Sequence, residues 1–95
     1  MKKSYVYIMS NKNRTTFYIG VTSNLKNRIA DHKNGKGSAF TKRYNLEDLV
    51  YFEDFPDIMQ AIDREKQLKK WHRKWKINLI RLANPEMNDL NWEIR

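Results

Sequence analysis

The chain has no cysteine, which excludes a disulfide framework and a thiolate metal cluster. A reducing, cytoplasmic setting is therefore the expectation. Glycine and proline are scarce, at three and two of 95 residues, so a low-complexity or linker-rich chain is excluded. No apolar run approaches the length needed to span a bilayer, and no membrane partner is expected. Met1-Lys2-Lys3-Ser4 leads straight into a strand-like pattern, so no secretory leader is expected. Acid is also in short supply: 11 Asp and Glu stand against 19 Lys and Arg.

What is present is positive charge, net +8 with a pI near 9.8. Such an excess on a small domain points to a polyanionic partner, most often nucleic acid. The charge is segregated. Arg64 to Lys76 holds seven bases and one acid, Glu65, whereas Glu47 to Asp57 holds five acids and no base.

The element pattern is that of one small α/β (α+β) domain. Tyr5-Val6-Tyr7-Ile8-Met9 is a β-prone run, Ser10 to Arg14 a polar turn, and Thr16 to Val21 a second strand, together an antiparallel hairpin. Ser23 or a neighbour caps a helix that runs to Lys33 and stops at Asn34-Gly35. Asn34 to Arg43 reads as a mobile basic loop. Leu46 to Phe55 contains a third strand. Asp57 with Gln60 resembles a capping box, placing a helix from about residue 58 to residues 70–73. A last helix spans Trp75 to Ala83. The order β-β-α-β-α-α predicts a three-stranded antiparallel sheet flanked by helices over residues 1–84, with a loosely packed polar tail at 85–95.

Two features go beyond core building. On a helix from residue 58, Ile58, Ala61, Ile62 and Leu68 share one arc, and Glu65 falls near its middle. A carboxylate there is costly unless paired or bound to a cation. A buried salt bridge and a metal or catalytic role are equally good accounts of it. On the first helix, Leu25, Arg28, Ile29 and His32 share a face, so Arg28 and His32 turn toward the sheet. Arg28 neutralising Glu65 is one explanation of both charges. Trp71 and Trp75 read as core rather than as stacking platforms.

Tyr5-Val6-Tyr7, Tyr18-Ile19-Gly20, Asn24 to Arg28 and Glu65, in this order and spacing, resemble the GIY-YIG nuclease family, and the segment Gly37 to Tyr44 is similar to that of its small single-domain bacterial members. The likeness covers roughly Lys3 to Leu82. Tyr5 stands where the family name has glycine. Val21 stands where excision-type relatives carry lysine. The resemblance implies phosphodiester cleavage with Mg²⁺ or Mn²⁺, with Glu65 holding the metal. It implies that Arg28 grips the scissile phosphate, that Tyr7 and Tyr18 position the water, and that Asn78 orients the site. Tyr7, Tyr18 and His32 all stand as candidate bases. Lys42, Arg43, Lys69, Lys70, Arg73 and Lys74 are the expected phosphate contacts, with DNA favoured over RNA. A nucleic-acid-binding module without cleavage is the alternative function. Specificity from a protein partner is left open.

Overall fold

A computed structural model describes residues 3–90. The elements run β1 (Ser4–Ser10), β2 (Phe17–Thr22), α1 (Leu25–Lys33), α2 (Ala39–Arg43), β3 (Asp48–Phe55), α3 (Ile58–Lys69) and α4 (Arg73–Ala83). The sheet is antiparallel in the order β2-β1-β3, so the N-terminal strand is central and buried. The main order is the one expected from the pattern. The addition is α2, a five-residue turn of helix inside the segment expected to be a mobile loop. Ser38 caps it by accepting from the Thr41 amide at 3.2 Å.

Alternation along the strands divides the core in two. Val6, Ile8 and Ile19 face α3 and α4 and pack with Ala61, Leu68 and Ile80. Tyr7 and Met9 face the other way and pack with Leu25 and Ile29 of α1. A register shift opposite Ile8 and Met9 pairs them with Tyr51 and Leu49. The extra residue, Val50, is accommodated as a bulge. This puts Val50 and Tyr51 in one core and Leu49 in the other.

Caps fix the helix starts. The Asn24 side chain accepts from the Asn27 amide at 3.2 Å, and Asp57 accepts from the Gln60 amide at 2.9 Å. The Gln60 amide group donates to the Asp57 carboxylate at 3.0 Å, a variant of the expected capping box. Gly35, at φ 73°, takes the left-handed conformation that ends α1. The arc of α3 is narrower than its sequence suggests: Ala61 and Leu68 are buried, but Ile58, the first residue of the helix, is 40% exposed.

The segment after α4 is docked rather than loose. Asn84 is buried, donating to the Val50 and Asn88 carbonyls at 3.0 and 2.8 Å. The Leu90 amide donates to the Leu49 carbonyl at 2.7 Å. Arg14, in the β1–β2 turn, donates to the Met87 carbonyl and to buried Asp48, each at 2.8 Å. Trp92 and the rest of 91–95 lie outside the described residues. Among the described residues, no helix is long and apolar enough to cross a membrane.

Candidate active site

Tyr7 lies on the central strand directly opposite Gly20 on β2. A Cβ on Gly20 would sit 2.5 Å from both the ring carbon and the oxygen of the Tyr7 phenol. Only the bare backbone lets the ring lie across the edge strand. The hydroxyl thus meets α1, where it lies 2.9 Å from His32 Nε2. Arg28, one turn earlier, donates from Nε to the same oxygen at 3.3 Å. The Tyr7, Tyr18 and His32 rings form a triangle with centroid separations of 5.6 to 6.3 Å. The i, i+4 spacing of Arg28 and His32 and the shared face of Tyr7 and Gly20 assemble this cluster from three elements.

The electrostatics follow from burial. His32 is 3% exposed. Burial, with the Arg28 charge beside it, lowers the imidazole to about 4, so it is neutral at pH 7. Burial pushes the Tyr7 phenol up to about 12, against the opposing hydrogen bond from Arg28. Tyr18 and Glu65 add to the rise through their charge. The Arg28 guanidinium is held above its ordinary value, first by its hydrogen bond to Tyr7.

Glu65 arrives from the opposite layer, on α3, and the Tyr7 phenol feels its charge. The direct ion pair with Arg28 does not form. Among the described residues Arg28 approaches Asp31 at 4.0 Å, while Glu65 is paired with Lys69 at 3.4 Å. The two layers meet at the edge of β2. There Phe17, Tyr18, Ile19, Phe40, Lys69 and Lys76 line an open groove of about 320 Å³. Arg73 stacks its guanidinium over the Phe17 ring at 5.4 Å.

Among the described residues no cluster of three or more His, Asp or Glu could cage a metal ion. Glu65, 17% exposed and held by one long ion pair, has carboxylate lone pairs to spare. A single hard oxygen donor completed by waters and a substrate phosphate is a normal Mg²⁺ site. The residues present fit that type of centre.

Asn78 is not brought into this cluster. It is exposed on α4 and borders a separate apolar hollow of about 250 Å³ with Trp71, Trp75, Leu79 and Leu82. Trp71 is partly buried against the core, but Trp75 is 54% exposed, contrary to its expected core role. It packs edge-to-face on Trp71 at 5.9 Å, across the break between α3 and α4. Lys42, Arg43, Lys69, Lys70, Arg73 and Lys74 are all exposed. Phe40, Thr41, Gly37 and Lys76 were not among the site residues expected from the sequence. Thr41 contacts His32 from 9 residues away, and only the fold of α2 brings them together.

Residues 3–78 match the GIY-YIG catalytic domain. The chain belongs to the GIY-YIG family. Similar members include a UPF0213 protein of Staphylococcus haemolyticus, 40% identical over 84% of this chain and 96% of its own. A UPF0213 protein of Clostridium perfringens is 38% identical over 95% of this chain and 94% of its own. The solution NMR structure of a UPF0213 protein from Bacillus halodurans superposes with a TM-score of 0.57 at 31% identity, covering 88% of each chain. The matched residues include the two strands and the helix that carry Tyr7, Tyr18 and Arg28.

Proposed function

We propose that this chain is a cytoplasmic, divalent-metal-dependent nuclease that cleaves phosphodiester bonds in nucleic acid, with DNA as its substrate. The observation that carries the reading is the Tyr7 hydroxyl, held between the neutral His32 imidazole at 2.9 Å and the Arg28 guanidinium at 3.3 Å. A buried phenol shared by an imidazole and a guanidinium is not what a packing tyrosine needs. It suits a group that takes a proton from water.

With its pKa raised to about 12, the Tyr7 phenol keeps its proton at neutral pH. It therefore works as a relay: Tyr7 passes its own proton to His32 as it receives one from the attacking water. Arg28 stabilises negative charge on the Tyr7 oxygen and offers its remaining N–H groups to the phosphate. Tyr18 walls the groove and orders the water. Glu65 would hold a Mg²⁺ or Mn²⁺ ion, which when bound supplies Lewis-acid polarisation of the phosphate and charge for the leaving oxygen. Lys69 and Lys76, on the groove wall, and exposed Lys70, Arg73 and Lys74 would neutralise flanking phosphates.

The test is cleavage of labelled single- and double-stranded DNA and RNA with Mg²⁺, Mn²⁺ or chelator. Glu65→Ala should lose roughly 10²-fold or more of cleavage while retaining binding, since it removes the metal's carboxylate rather than a phosphate contact. Binding with no cleavage under any metal would make the chain a binding module of the same fold. Neither binding nor cleavage at low salt would remove both readings.

A further inference from the structure

The 2.9 Å contact between Tyr7 and His32 does not by itself say which atom carries the hydrogen. The neighbours of His32 do. Its other nitrogen, Nδ1, lies 3.1 Å from Thr41 Oγ1 in a buried setting. Thr41 Oγ1 also lies 3.0 Å from the Ser38 carbonyl oxygen, which can only accept. A hydroxyl has one proton and two lone pairs. The proton goes to Ser38, and the lone pairs accept from the Ser38 hydroxyl at 3.3 Å and from His32 Nδ1. The opposite tautomer would aim His32 Nε2–H and Arg28 Nε–H at one Tyr7 oxygen. That would leave the phenol hydrogen with no side-chain acceptor beside it, at a hydroxyl whose residue is 1% exposed.

We propose that Thr41 is a positioning residue that holds His32 in the Nδ1–H tautomer, so that Nε2 is the acceptor for the Tyr7 proton. Gly37 is the companion of this arrangement. A Cβ there would stand 2.1 Å from His32 Nδ1 and 2.8 Å from Thr41 Oγ1, so only glycine lets the segment before α2 close on the ring. In the relay, one water O–H bond breaks and its proton goes to the Tyr7 oxygen, while the original Tyr7 proton moves to Nε2. The resulting imidazolium keeps its Nδ1–H on Thr41; the hydroxide bonds to phosphorus as the P–O ester bond opposite it breaks, and the leaving alkoxide takes up a proton from solvent. The consequence for catalysis rests on the nuclease reading; the tautomer does not.

The chain has two histidines, His32 and His72. A His72→Gln background isolates the His32 signals in two-bond ¹H–¹⁵N correlation spectra at pH 7. The expected pattern is a protonated Nδ1 and a pyridine-like Nε2. Thr41→Val should shift the population toward Nε2–H, and Thr41→Ser should restore Nδ1–H. In cleavage assays Thr41→Val should lower kcat roughly 10²-fold or more with little change in KM, and Thr41→Ser should recover most of it. An Nε2–H pattern in the unmodified Thr41 protein overturns the proposal even if Thr41→Val fails to fold. Retention of Nδ1–H in a folded Thr41→Val overturns it too. A protein with the expected tautomer but no cleavage under any metal removes the nuclease reading and leaves the proton assignment standing.

Discussion

Tyr7 shows how much one side chain depends on what faces it. Its strand neighbours make it look like core, and it is 1% exposed. Its hydroxyl reaches a guanidinium and an imidazole only because Gly20 has no side chain. Gly20→Ala should force the phenol off His32 and destabilise the fold by about 1–3 kcal/mol, the usual cost of overpacking, measurable by urea unfolding. His32 gives a pH test. Folded, it titrates at about 4; unfolded, at about 6.5. Between those values the unfolded chain binds a proton that the fold refuses, so stability should fall as pH drops from 6.5 toward 4. Urea midpoints across that window should show the slope, and a folded His32→Gln variant should lack that contribution.

At the scale of elements, positions are set by polar locks that join segments far apart in sequence. Arg64 makes a two-pronged pair with Glu53 of β3 at 2.9 and 3.0 Å. The Tyr51 hydroxyl also donates to Glu53. This pins the rotation of α3, and with it the direction of Glu65 next door. A second lock joins the hairpin turn to β3 and the C-terminal segment. Buried Asp48 accepts from Lys12 and Arg14, each at 2.8 Å. Arg14→Ala should cost about 3 kcal/mol, the lower end of the penalty for breaking a buried pair, because Lys12 remains. Thermal or urea unfolding would measure it. The helix and strand periodicities were legible in the sequence, and so was the shared face of Arg28 and His32. These locks were not, because Glu53 and Arg64, like Asp48 and Arg14, read as ordinary solvated charges until the chain folds.

For the molecule as a whole, the net charge of +8 bears on affinity more than on fold. If Lys69, Lys70, Arg73 and Lys74 each meet a phosphate, the slope of log K against log salt should be about −4 on duplex DNA. Each single alanine variant should then reduce it by about 1. Titrations from low to physiological salt would test this.

The sequence by itself determined the class of fold, because periodicity is a local property and a chain of this size has few ways to bury it. It also determined the candidate chemistry of the first two strands and the first helix, since Tyr7, Tyr18, Arg28 and His32 sit on neighbouring elements joined by short turns. Only the tertiary structure decided the partners across layers. It left Arg28 unpaired with Glu65, set Asn78 apart and exposed Trp75. It also folded the supposed loop into α2, so that Thr41 meets His32. Those outcomes depend on how elements rotate and close on one another, and that is fixed by packing and buried hydrogen bonds between residues distant in the chain.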